Sequence, residues 1–107
     1  MKIDHLSKEE KETMARYLLK CYRTSCDNVQ YLEECNLINE RMEEYRAERK
    51  TCLLIEQALD EMEVSLKEFL LNEFGRKKKV DLSDSNYSRS NYYRLRGLAV
   101  DDFLRCL

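Results

Sequence analysis

CLLIEQALDEMEVSLKEF, residues 52–69, is the stretch that decides the fold class of this chain. Its apolar side chains recur at steps of three and four residues, the period of one face of an α-helix. They are Cys52, Ile55, Leu59, Met62, Leu66 and Phe69. Strong helix formers fill most of the other positions. We therefore predict a helix from about Cys52 to Phe74, ended by Gly75.

A second apolar series with the same spacing precedes this stretch. It consists of Tyr31, Cys35, Ile38, Met42 and Tyr45. Joining the two series requires a phase slip, which predicts a break near residues 49–51 between this helix and another that starts near Asn28. Residues 31–69 thus form a heptad seam, which either packs inside the chain's own bundle or joins two copies in a homodimer. We favour the internal packing.

The first helix has a clear start signal. Ser7 and Glu10 are spaced as a capping box, in which each side chain can bond the other residue's free N–H. We expect the helix to run from about Lys8 to Arg23. It should end at residues 24–27, Thr-Ser-Cys-Asp, because their side chains compete for backbone hydrogen bonds and can cap a new helix.

The composition favours an all-α protein. The chain of 107 residues has no proline and two glycines, too few turn residues for a sheet of short strands. We predict a small helical bundle or a long helical hairpin with a helix-turn-helix-like element at its C-terminal end. Since no apolar run reaches the ~18 residues of a transmembrane helix, we expect no membrane span and a cytoplasmic location.

Residues suited to catalysis or metal binding are sparse. The five cysteines include no C-x-x-C pair, and the single histidine, His5, is far from most of them. We expect reduced cysteines that pack as small hydrophobic side chains, without a metal site. Two isolated glycines make no phosphate-binding loop. The sequence predicts neither an enzyme nor a cofactor.

Charge is distributed unevenly along the chain. Residues 1–74 hold 11 Lys and Arg against 17 Asp and Glu, whereas residues 75–107 hold 8 against 4. We therefore divide the chain into an acidic helical region, residues 1–51, and a region of residues 52–107 that contains a basic loop at 75–79. The basic part is the predicted contact with nucleic acid.

The last helix is predicted to start with a polar turn. Ser88 can cap a helix of about Ser90 to Cys106, whose first turns carry arginines, an asparagine and two tyrosines. An apolar stripe of Leu95, Leu98, Ala99, Phe103 and Leu104 follows. Helical spacing places Tyr92 on the stripe and Tyr93 outside it. Gly97 is expected to permit close approach of the preceding helix.

This segment carries a family resemblance. Ile55–Asp60, Leu70–Phe74 and Tyr87–Arg96, with Ala99 and Phe103, resemble the C-terminal part of the ArpU-type phage regulators. That resemblance implies transcriptional control in prophages of Gram-positive bacteria and a helix-turn-helix similar to the promoter-reading region of sigma factors. It covers residues 52–107. Residues 80–86, which would supply the first helix of the motif, contain few apolar side chains.

The predicted function is therefore DNA binding by a transcriptional regulator, with double-stranded DNA as the partner. Arg89 is the candidate to bind a guanine edge and Asn91 the candidate to bind an adenine edge. The remaining polar side chains suit phosphates. The predicted contact residues are Lys77, Lys78, Lys79, Ser88, Arg89, Ser90, Asn91, Tyr93, Arg94 and Arg96. The alternative is a helical module that binds a protein of the transcription machinery, a repressor or another phage or host protein, because Tyr and Arg also anchor protein interfaces.

Overall fold

Four α-helices form the part of the chain that the computed structural model describes, residues 2–74 and 88–107. They are α1 (Lys8–Glu34), α2 (Met42–Glu61), α3 (Val64–Phe74) and α4 (Arg89–Cys106). These residues contain no strand, and the predicted all-α class is confirmed.

Helix α1 begins at the predicted capping box. The Ser7 hydroxyl accepts from the N–H of Glu10 at 3.1 Å, and the N–H of Ser7 donates to the Glu10 carboxylate at 3.0 Å. The backbone bond to Ser7 is the main cause that holds the pKa of Glu10 below its usual value. The predicted end near Arg23 and the new start near Asn28 were wrong, because α1 continues to Glu34. Ser25 is buried inside this helix, where tertiary packing outweighs its local preference for a turn.

A local motif at Asn36 ends α1 just after Glu34. Asn36 has a φ of 54°, a left-handed conformation that asparagine tolerates better than most residues. The N–H of Leu37 donates to the carbonyl of Leu32 at 2.9 Å, and that of Asn36 to Glu33 at 3.3 Å. These two bonds form the Schellman motif, which satisfies carbonyls left free at the end of a helix.

Helix α2 runs without interruption through the position of the predicted break. Residues 49–51 are helical, so the phase slip expected there was wrong, and the break lies at residues 35–41. The predicted helix from Cys52 to Phe74 also divides, because Met62 is extended with a ψ of 154°. The N–H of Glu63 then donates to the Asp102 carboxylate of α4 at 3.4 Å. An acceptor 39 residues away thus supports this break, and the local sequence could not reveal it.

Helices α1 and α2 form an antiparallel hairpin. In their polar contacts, residues of increasing number in α1 pair with residues of decreasing number in α2. These pairs are Tyr22 with Glu56 at 3.2 Å, Cys26 with Cys52 at 3.6 Å, Asn28 with Glu48 at 3.3 Å and Glu33 with Tyr45 at 2.9 Å. The hairpin is the scaffold on which α3 and α4 pack.

The main hydrophobic core lies where α3 and α4 meet the hairpin. It combines residues from all four helices and from the N-terminal segment: Ile3, Ala15, Leu19, Ile55, Ala58, Leu59, Met62, Leu70, Phe74, Ala99, Val100, Phe103 and Leu104. The border proposed between residues 51 and 52 falls inside α2, and this core draws on both sides of it.

The two halves of the predicted seam have different surroundings. Cys52, Ile55, Leu59 and Met62 are buried in the chain's own fold, as favoured from the sequence. Tyr31, by contrast, is 53% exposed. Homodimerisation through residues 31–69 stays a prediction. None of the described helices is long and apolar enough to cross a membrane.

Candidate nucleic-acid interface

Helix α4 starts at the predicted cap. The Ser88 hydroxyl oxygen accepts a hydrogen bond from the N–H of Asn91 at 3.3 Å, and Ser88 itself has extended backbone. The helix begins at Arg89, one residue before the predicted start, and ends at Cys106 as predicted. The cap fixes the first turn of α4, which carries most of the predicted contact residues.

One face of α4 is buried in the core. It consists of Tyr92, Ala99, Val100, Phe103 and Leu104. Tyr93 is 40% exposed, so the predicted opposite placement of the two tyrosines is confirmed. Leu98 was wrongly assigned to the buried stripe and is 44% exposed, because six residues of helix rotate it well away from Tyr92. No described residue lies within 4 Å of the position that a Cβ on Gly97 would occupy, so none of them makes the close approach predicted there.

Arg96 lies in the centre of the buried face. Its side chain is 17% exposed, with Nε 2.7 Å from the Glu12 carboxylate of α1 and Nη1 3.5 Å from that of Glu73 in α3. The Nε contact is close but poorly aligned, so it is an ion pair without a regular hydrogen bond. The guanidinium also lies over the Phe74 ring, 5.2 Å from its centre. Arg96 therefore joins α4 to α1 and α3.

Tyr92 strengthens the same junction. Its ring contacts Phe69 of α3 and Tyr93, with 5.4 Å between ring centres in both pairs. Burial raises the pKa of Tyr92 to about 12, and the nearby Glu73 carboxylate adds to this shift. We call Glu12, Glu73, Phe74, Tyr92 and Arg96 the Arg96 cluster.

The opposite side of the first two turns of α4 faces solvent. Arg89, Ser90, Tyr93 and Arg94 are exposed, and Asn91 is partly exposed. The Asn91 amide oxygen accepts from Nε and Nη2 of Arg94 at 3.2 and 2.8 Å, so the two side chains orient each other. Residues 88–100 contain no Asp or Glu. The structure therefore brings Ser88, Arg89, Ser90, Asn91, Tyr93 and Arg94 together and directs Arg96 inward.

The remaining predicted contact residues cannot be placed relative to this surface. Lys77, Lys78 and Lys79, and with them the basic loop 75–79, lie outside the described residues. The same is true of residues 80–86, the predicted first helix of the motif, and of Gly75. The surface defined by the structure thus consists of the start of α4 alone.

The sequence did contain a signal for the inward position of Arg96. Positions 92, 96, 99 and 103 follow steps of four, three and four, the spacing of one helix face. The partners of Arg96 gave no such signal, since Glu12 is 84 residues and Glu73 is 23 residues away along the chain. Arg96 was predicted to contact DNA because it is an arginine, although its position on the helix indicated the core.

The cysteines are free thiols, and their surroundings differ. No group of three or more potential metal ligands occurs within residues 2–74 and 88–107. Cys52 is buried against Cys26, and burial raises the pKa of its thiol to about 12. A thiol with a raised pKa is a poor nucleophile and metal ligand at neutral pH. Cys52 therefore acts as a packing residue.

Comparisons with models of known protein families, with curated proteins and with solved structures found no match. The resemblance to the ArpU-type regulators therefore remains a prediction from the sequence. The geometry of α4 is the basis on which a function can be proposed.

Proposed function

We propose that the chain is a phage-type DNA-binding transcriptional regulator that inserts the start of α4 into the major groove. One observation supports this most strongly. The first two turns of α4 expose a compact set of side chains whose chemistry suits phosphates and base edges, while their other side is packed on the core. A recognition helix requires both properties, since its contacts must be exposed and its orientation must be rigid.

The exposed residues divide naturally by chemistry. Arg89 and Arg94 are cations suited to phosphates or to the acceptor pair of guanine. Ser88 accepts from the backbone, which leaves its hydroxyl proton free for a phosphate. Ser90 and Tyr93 add hydroxyl donors at the exposed surface. Asn91 retains amide protons for a base edge while its oxygen bonds Arg94.

Arg96 has a different role in this proposal. It is held by two carboxylates and lies over an aromatic ring, so it positions α4 and does not contact DNA. The DNA contact is thereby reduced from the three arginines expected from the sequence to Arg89 and Arg94. The phosphate contacts proposed for Lys77, Lys78 and Lys79 are based on the sequence alone.

Selection from a random duplex library tests this function. We expect the full chain to enrich a defined motif, and an Arg89→Ala/Arg94→Ala variant to lose it. Arg105→Ala is the matched control, because Arg105 is an exposed arginine at the other end of the same helix. Enrichment of no motif by the wild type, or of the same motif by the double variant, would contradict the proposal.

A protein-binding module is the second candidate. The specific observation in its favour is the exposure of two adjacent leucines on α2, Leu53 at 45% and Leu54 at 54%. Such apolar surface is a common part of protein interfaces. In a chain that binds a protein through these leucines, the Arg89→Ala/Arg94→Ala variant would keep partner binding and Leu53→Asp would lose it. A chain that instead anchors a protein partner through Arg89 and Arg94 would enrich no motif from the duplex library even as the wild type.

A further inference from the structure

The outer face of α2 is an exposed stripe of unusual composition. Arg46, Leu53, Gln57 and Asp60 follow one another at steps of seven, four and three, which places them on one side of the helix. All four are exposed, and Asp60 keeps 75% of its side-chain surface. The buried residues of α2, by contrast, point toward the core. No described element covers the stripe.

The charges on this stripe are ordered along the helix. Arg46, Arg49 and Lys50 lie on the N-terminal side of Leu53, and Asp60 lies on its C-terminal side. Arg46 and Asp60 are each seven residues from Leu53, or about 10 Å along the helix axis. A stripe that is basic at one end, apolar in the middle and acidic at the other is complementary to its own antiparallel copy.

We propose that α2 docks on α2 of a second copy of this chain, antiparallel and with the two-fold axis at Leu53. A two-fold interface uses the same patch on both partners, so every cross-contact occurs twice. Leu53 then packs on its counterpart, and Arg46 of each copy meets Asp60 of the other. Arg49 faces Gln57, and Lys50 approaches Glu56.

The shape of the surface agrees with this pairing. A shallow depression of about 420 Å³ lies along the stripe, between Tyr45, Arg49, Leu53 and Leu54. A leucine from an opposing helix is a suitable size to enter it. Asp60 already pairs with Lys67 at 3.2 Å, and its exposed carboxylate still has acceptor positions for an arginine.

This interface differs from the heptad seam considered for the sequence. The downstream seam residues, such as Ile55 and Leu59, are buried against the chain's own helices. The stripe lies on the side of α2 that they leave free. The proposal concerns assembly only, and it does not depend on whether α4 binds DNA.

Sedimentation equilibrium of the full chain tests the proposal. We expect the wild type to form a dimer that dissociates within about 1–100 µM, the range of moderate affinities. Leu53→Asp should raise the dimer Kd by about tenfold or more, because it places two carboxylates at the two-fold axis. Leu98→Asp, at a leucine of nearly equal exposure on α4, is the control and should leave the Kd unchanged. Circular dichroism verifies that each variant keeps its helices.

A charge exchange tests the antiparallel register. Arg46→Asp and Asp60→Arg should each weaken the homodimer, because each places like charges opposite one another at both ends. A mixture of the two variants should form a heterodimer as tight as the wild type, because both ends regain opposite charges. A wild type that stays monomeric to about 100 µM, an unaffected Leu53→Asp, or a mixture that does not recover would each overturn the proposal.

Discussion

The role of Arg96 depends more on its position in the fold than on its residue type. The same guanidinium that suits DNA becomes a structural link once it lies between Glu12, Glu73 and Phe74. Its carboxylate partners are themselves largely covered, at 25% and 13% side-chain exposure. Removing a cation from such a site leaves two carboxylates with little solvent to replace it.

We therefore predict that Arg96→Gln lowers the free energy of unfolding by about 2 kcal/mol, below the full cost for a completely buried pair because the site keeps some solvent. The melting temperature should fall by roughly 10 °C. Urea denaturation followed by circular dichroism measures the change. Arg105→Ala, at an exposed arginine of the same helix, should change the stability by less than about 0.5 kcal/mol. Equal effects of the two variants would show that Arg96 has no structural role.

The Tyr92 phenol gives the fold a dependence on alkaline pH. Its pKa in the folded protein is about 12, above the ordinary value of 10, so the folded state holds this proton more tightly than the unfolded state. The resulting stabilisation is complete below about pH 10 and is lost as the pH rises toward about 12. Tyr92→Phe should flatten the fall of the unfolding free energy across this interval. Chemical denaturation at several pH values measures the slope, and identical slopes for wild type and variant would contradict the assignment.

At the scale of the helices, α1 tests which residue caps the start of the helix. The structure places the cap at Ser7, whereas Asp27 lies inside a continuous helix and is exposed. Ser7→Ala should cost about 1 kcal/mol of stability because it removes the capping bond. Asp27→Ala should be neutral or slightly stabilising, because alanine is the better helix former. A larger loss for Asp27→Ala than for Ser7→Ala would instead indicate a helix start near residue 28.

Local chemistry predicted the two helix starts that have a side-chain cap. Ser7 and Ser88 were recognised because a cap needs only a side chain and a backbone N–H three residues away. Asn36 ends α1 by a local motif that was also readable, but the heptad spacing through residues 31–45 concealed it. The division at Met62 and Glu63 depends on Asp102 of α4 and had no local signal. The side chains of Thr24–Asp27 suggested a break, but the burial of Ser25 and the contact of Cys26 with Cys52 of α2 keep this stretch helical.

At the scale of the whole molecule, the candidate surface and the stripe on α2 belong to different helices. If two copies pair through α2, the DNA motif selected by the protein should be two-fold symmetric, because a symmetric dimer presents two identical recognition helices. Leu53→Asp should then weaken binding to the full site while it leaves the preferred half-site sequence unchanged. Selection and affinity measurements with the wild type and Leu53→Asp check this. If the variant bound the symmetric site as tightly as the wild type does, the prediction would be contradicted.

The central claim is that the start of α4 binds DNA, and its salt dependence is the most direct test. Fluorescence anisotropy on the selected duplex gives the slope of log K against log salt concentration, which reports the phosphates neutralised by cations. For Arg89→Ala/Arg94→Ala we expect weaker binding and a slope reduced in magnitude by about 2 if both arginines contact phosphates, or about 1 if one reads a base. Arg105→Ala should keep the wild-type affinity and slope. Equal affinities and slopes for wild type and the double variant would contradict the claim.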